Sequence, residues 1–195
     1  ASSMNIQARY PTTADEFLRW NEGREGKREF VRGRVVEMMI NVTRNHWKVA
    51  SRLTHQLIEL LGLDRYNIGS ADFGVRTPDG VRFPDVLVEA AESDDGKALA
   101  TSEPLLIAEV LSASSIADDF GPKAADYLGI AALRHYIVLS QDEARIWLWS
   151  RGEDGKWLKP ETFERSGGPV PLPGLGIELD LDRLYAGVVP QDRSN

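Results

Sequence analysis

Apolar positions along this chain change period several times, and each period predicts an element. Over residues 45–61, Trp47, Ala50, Leu53, Leu57 and Leu61 recur every three or four positions, the spacing of a helix with one buried face. Asn45 is suited to cap it and Gly62 to end it. Thr12 or Thr13 is placed to cap a shorter helix over residues 14–20. Residues 28–38 read as two short strands turning near Arg32-Gly33. Three further strands are expected at residues 68–76, 82–89 and 104–111, the first ended by Pro78-Asp79-Gly80. A polar loop (residues 93–97) separates the last two. A helix is expected over residues 121–132, with Pro122 in its first turn. Strands at 134–139 and 144–149 would follow, joined as a hairpin. The strand–helix–strand unit over residues 105–139 has the length of a βαβ crossover, so its two strands should be parallel. Residues 169–176 look irregular, and a short helix is expected at 181–185. The sum is an α/β domain with a mixed β-sheet flanked by helices.

Composition narrows the setting. The 195 residues are 42% hydrophobic and 27% charged, ordinary for a globular domain. There is no cysteine, which excludes disulfides and thiolate zinc sites. No apolar run reaches the roughly 20 residues that span a bilayer, so no membrane association is expected. No signal peptide is visible, and Ala1-Ser2-Ser3 ahead of Met4 reads as a cloning scar. The cytoplasm is the expected compartment. The net charge of −7 argues against a protein that coats nucleic acid non-specifically, but an enzyme with a local basic patch remains compatible with it.

Two carboxylates break the apolar pattern. In residues 104–111, Leu105, Ile107 and Leu111 share one face and Leu106, Ala108 and Val110 the other, as in a central strand covered on both sides. Glu109 interrupts this strand. An unpaired buried carboxylate costs roughly several kcal/mol, so Glu109 needs an arginine partner, a metal or a dense hydrogen-bond shell. Asp85, after Pro84, opens the preceding apolar strand. If the two strands are neighbours, both carboxylates reach one ion. Two carboxylates with water and a phosphate oxygen make a typical Mg²⁺ (or Mn²⁺) site.

Pro84-Asp85 followed by Glu109 resembles the signature of the PD-(D/E)XK nuclease superfamily. There the Asp and Glu bind the metal, and a lysine two residues after the Glu supports the attacking water. This chain has Leu111 at that place. The run from Glu109 through Asp119-Phe-Gly-Pro-Lys123 and Tyr127 to His135-Tyr-Ile-Val-Leu resembles the Uma family of bacterial restriction endonucleases, a branch of that superfamily. Its lysine is thought to have moved to the following helix, which implies Lys123. The resemblance covers residues 13–149 and implies a restriction-endonuclease-like domain over 12–187, with tails at 1–11 and 188–195. It implies catalysis by Asp85, Glu109 and Lys123, and a metal held by Asp85, Glu109 and the Val110 carbonyl. Glu29 and His46 match family positions and are secondary candidates; Tyr127, one turn after Lys123, could orient it. DNA is the implied substrate and a homodimer the implied assembly, since two centres cut two strands.

Two other readings fit parts of the sequence. Leu111 and the acidic charge suit an inactive nuclease-fold protein used for binding or assembly. Paired carboxylates with Trp147, Trp149 and Trp157 exposed beside them would suit a glycosidase. No Gly-rich phosphate loop or Ser–His–Asp set stands out, and the three histidines lack zinc spacing. His55 and His135 look structural.

Overall fold

The computed structural model describes residues 10–92, 95–112 and 115–188. Most of the two expected tails, Ser93-Asp94 of the polar loop and Ala113-Ser114 of the quoted run lie outside that range. Helix α1 (Ala14–Asn21) precedes the hairpin β1 (Lys27–Val31) and β2 (Arg34–Met38), and α2 (Arg44–Leu61) follows. Then come β3 (Tyr66–Ser70), β4 (Gly74–Thr77), β5 (Gly80–Arg82), β6 (Val86–Ala90), β7 (Ala100–Thr101) and β8 (Pro104–Val110). Helices α3 (Ile116–Phe120) and α4 (Pro122–Leu128) lead to β9 (His135–Leu139), β10 (Arg145–Ser150) and β11 (Glu161–Glu164). The hairpin β12 (Val170–Leu172) and β13 (Ile177–Leu179) precedes α5 (Leu181–Leu184). Among the described residues, no helix is long and apolar enough to cross a membrane.

The strands form a six-stranded sheet ordered β11-β10-β9-β8-β6-β3 and a five-stranded sheet ordered β2-β1-β5-β4-β7. Both are mixed. As the crossover length predicts, β8 and β9 are parallel, while β6 and β8 are antiparallel neighbours. Gly80 lets the smaller sheet close: a Cβ there would lie 1.8 Å from the Phe30 carbonyl oxygen, so no larger residue permits the β1–β5 pairing.

Several expected elements are divided or moved. The strand at 68–76 is two strands, broken at Ala71 (φ 58°), whose N–H donates to the Asp85 carbonyl. The strand at 82–89 is also two. Phe83-Pro84-Asp85 carries the chain from the smaller sheet to the larger one, because Pro84 cannot donate to a ladder. The helix expected over residues 121–132 is shorter: α4 starts at Pro122 as expected but ends at Leu128. An additional helix, α3, precedes it, and Gly121, where a Cβ would press 2.7 Å from the Ala117 carbonyl oxygen, separates the two. In α2 the cap is Thr43, whose Oγ1 accepts from the His46 N–H at 3.1 Å. Its buried face is Asn45, His46, Val49, Leu53, Gln56 and Leu57, while Trp47 is 63% exposed. Residues 169–176 include a paired strand and are not irregular throughout.

Two apolar layers enclose the larger sheet. On one face Val86, Val88, Leu106, Ala108 and Val110 meet α2, α5 and the β12–β13 hairpin. On the other, Leu87, Ile107, Tyr136 and Val138 meet α4 through Ala124 and Tyr127. A third cluster packs α1 on the smaller sheet through Phe17, Phe30 and Val81. Trp149 is buried in the second layer. Trp147 stacks edge-on to Phe120, and Trp157 donates to the Leu128 carbonyl. The three tryptophans therefore serve packing rather than an open sugar groove.

His135 is structural, as expected. Its Nε2 accepts from the Gly174 N–H at 2.9 Å, and Nδ1 lies 3.1 Å from Ser150 Oγ. Burial lowers its pKa from 6.5 to about 4. The unfolded chain therefore takes up a proton that the folded chain refuses between those values. Stability is full above pH 6.5, falls as pH drops through that window, and levels off below about 4. The window is worth about 3 kcal/mol. Between pH 7 and 4.5 the wild type should lose more melting temperature than His135→Gln. Parallel losses would show that this ring does not set the acid limit.

Candidate active site

The β6–β8 register brings the two carboxylates together. Val86 faces Ala108 and Leu87 faces Ile107, so the same register sets Asp85 opposite Glu109. Asp85 Oδ2 accepts from the Val110 N–H at 2.8 Å and from His46 Nε2 at 3.2 Å. The first bond fixes Asp85 against the strand carrying Glu109; the second ties it to the start of α2. Glu109 Oε1 accepts from Tyr127 Oη at 2.9 Å. Tyr127 thus holds Glu109 rather than Lys123.

Lys123, in the first turn of α4, is 3% exposed and points back to the strand end. Its Nζ lies 3.0 Å from Asp119 Oδ1, 3.7 Å from Glu109 Oε2 and 3.8 Å from Asp118 Oδ2. It is not a solvated surface lysine. Asp119 is itself held: Ser115 Oγ donates to its Oδ2 at 2.7 Å, and Tyr136 Oη donates to its carbonyl. The i,i+4 spacing of Asp119 and Lys123 is the sequence signal for this pair, although the break at Gly121 hides it.

Glu29 is also buried, at 1% exposure, and is not the surface residue that a hairpin position suggests. Its Oε1 accepts from Arg82 Nη1 at 3.1 Å and its Oε2 from the Phe83 N–H at 2.7 Å. Arg82 also donates from Nε and Nη2 to Asp126 Oδ2, at 3.0 and 2.8 Å. One guanidinium therefore joins β1 to α4 beside the crossing that presents Asp85. Sequence reasoning missed Arg82; its signal was a cation between Val81 and Phe83. Gln141 was missed as well. It donates from Nε2 to the carbonyl of Leu111, the residue at the familiar lysine position, and its Oε1 accepts from Thr43 Oγ1.

The electrostatics follow from burial and crowding. Burial drives Glu109 well above the ordinary carboxylate range; Lys123 opposes this, while Asp85, Asp119 and Glu29 add to it. Burial also raises Asp119, against Lys123 and Ser115. Asp85 goes the other way: burial is outweighed by His46 and the Val110 N–H, and its pKa is lowered. Burial works against the Lys123 charge, but Glu109, Glu29 and Asp119 prevail and hold it as an ammonium ion.

A divalent cation fits this donor set. Among the described residues, five carboxylates are buried (Glu29, Asp85, Glu109, Asp119 and Asp126) with only Arg82 and Lys123 as buried lysine or arginine partners. That imbalance favours an added positive ion. Within the same residues no three His, Cys, Asp or Glu side chains form a ready cage. Mg²⁺ tolerates this, since it keeps several waters and takes one or two carboxylates together with substrate phosphate.

A family profile, Uma2, described as "Putative restriction endonuclease", matches residues 14–182. Two proteins of the cyanobacterium Synechocystis, both described as uncharacterized, are similar in sequence. One, slr1290, is 27% identical over 176 residues, covering 89% of this chain and 91% of its own. The other, sll1609, is 32% identical over 159 residues, covering 77% and 87%. A crystal structure described as a putative nuclease belonging to DUF820, from Anabaena variabilis, superimposes with a TM-score of 0.73 at 17% identity. It covers 92% of this chain and 100% of that one, and so shares its fold. With the profile spanning most of the chain, this protein belongs to the Uma2 family of putative restriction endonucleases.

Proposed function

We propose that the protein is a metal-dependent endonuclease that hydrolyses phosphodiester bonds of DNA. The observation that carries this reading is the buried group of Asp85, Glu109 and Lys123, set at a strand end by the register and by α4. Asp85 and Glu109, with the Val110 carbonyl, would hold Mg²⁺ or Mn²⁺. Such a cation, when bound, lowers the pKa of its water and neutralises charge developing on the phosphate. Lys123, kept cationic by its neighbours, orients the attacking water and stabilises the charge that builds on the phosphoryl oxygens. The water oxygen forms the new bond to phosphorus and releases its proton to solvent as the bond to the leaving sugar oxygen breaks, and that oxygen takes a proton from solvent. His46 positions Asp85, and Tyr127 positions Glu109. Cutting both strands of a duplex calls for two such centres, and a homodimer supplies them.

The test is plasmid nicking. Wild-type protein should nick with Mg²⁺ and not with a chelator present, and Lys123→Ala should be slower by about 10²-fold. Equal cleavage by wild type and Lys123→Ala would assign the activity to a contaminant. If calorimetry detects no Mg²⁺ or Mn²⁺ binding, the inactive binding-module reading gains instead.

A further inference from the structure

Beside the catalytic group, on the same face of the larger sheet, lies a cavity of about 330 Å³. Its lining includes Asn67 and Gly69 of β3, Leu87 and Glu89 of β6, and Asp72 and Phe73 from the connection to β4. Side chains alternate along a strand, so Asp85, Leu87 and Glu89 point the same way, each about 7 Å from the next. Across the ladder Gly69 faces Leu87 and Asn67 faces Glu89. The connection is tied to the site as well, since the Ala71 N–H donates to the Asp85 carbonyl at 3.2 Å.

Gly69 makes the room. It lies in a strand, and a Cβ built there meets nothing within 4 Å, so the cavity extends where a side chain would otherwise stand. Leu87 and Phe73 give it an apolar lining. The polar rim is rich in acceptors: Asn67 Nδ2 already donates to Glu89 Oε2 at 2.9 Å, and Glu89 and Asp72 are carboxylates. An apolar slot with acceptors at its edge suits a flat ring that bears N–H donors. It does not suit a phosphate, which the carboxylates would repel.

We propose that this cavity is a subsite for a nucleobase carrying an exocyclic amino group, held next to the phosphodiester being cut. The base lies on Leu87 beside Phe73, and its amino group donates to Glu89, as a carboxylate accepts from cytosine N4. A base reaches such a slot when it is out of the stack, so single-stranded or distorted DNA is the preferred substrate. The proposal rests on the nuclease reading for its biological sense, but the base pocket can be tested apart from cleavage.

The experiment titrates metal-free protein with dCMP, dTMP and 2-deoxyribose 5-phosphate and follows the backbone amide signals of Gly69, Leu87 and Glu89. The expected result is that dCMP shifts these signals, with at least tenfold weaker binding of dTMP and of the sugar phosphate. Gly69→Phe should weaken dCMP binding tenfold or more, and Glu89→Gln should narrow the gap between dCMP and dTMP. Equal binding of all three probes, or dCMP binding unaffected by Gly69→Phe, overturns the proposal. So does a change of oligomeric state as the one effect of Gly69→Phe, which would mean that a second chain fills the cavity. Base discrimination without cleavage would sink the nuclease reading and keep the pocket; cleavage without discrimination would do the reverse.

Discussion

Glu109→Gln should slow DNA cleavage by on the order of 10³-fold and leave the fold at least as stable as before. The two outcomes share a cause. Glu109 is buried among Asp85, Asp119 and Glu29, and its carboxyl is driven far above its ordinary pKa. Glutamine has the same shape and still accepts from Tyr127 Oη, but it removes the charge that crowds the site. Lys123 keeps Asp119 at 3.0 Å, so no buried ammonium is stranded. Asp85→Ala should behave differently. It should also slow cleavage strongly, but it deprives the Val110 N–H and His46 of an acceptor, at a cost of about 1–3 kcal/mol. Thermal melts beside nicking assays would separate the two. A Glu109→Gln protein that melts well below wild type would mean that Glu109 is chiefly a structural partner of Lys123. Carboxylates held against stability are a common mark of sites kept for function.

Arg82→Leu should destabilise the protein by about 3–5 kcal/mol, because it leaves buried carboxylates without their cation. Arg82 bonds Glu29 and Asp126 and lies 3.6 Å from Asp118. Removing it uncouples α4 from the β1–β5 pair, so Lys123 should lose its place as well and cleavage should fall with stability. The companion variant Arg82→Leu with Glu29→Gln and Asp126→Asn should recover much of the loss, since no buried charge is then unmatched. Urea denaturation at pH 7 measures both. A single Arg82→Leu change worth less than 1 kcal/mol would show that the network is solvated in solution.

Much of the core was legible in the sequence. The apolar run broken at Glu109 marked a central strand, and the crossover length fixed β8 and β9 as parallel. The sharp turn at Arg32-Gly33 and the short helices at both ends followed from local chemistry. Helix α2 was legible in extent and largely in orientation: Leu53 and Leu57 are in the core, with Ala50 and Leu61 packed against it. Trp47 fitted the spacing but lies outside the stripe, which takes in His46 and Val49 instead.

What the sequence by itself determined was which residues resist their surroundings: two carboxylates inside apolar strands and a lysine after a Gly-Pro break. These are local facts, set by the cost of burying charge and by backbone stereochemistry. Only the tertiary structure decided how they meet. It split residues 82–89 between two sheets, put Asp85 opposite Glu109, folded α4 back so that Lys123 is buried, and supplied Arg82 and Asp119 as the counter-charges. Those contacts join residues distant in the chain, and pairwise electrostatics at 3 to 4 Å depend on register and helix placement, which no local pattern carries.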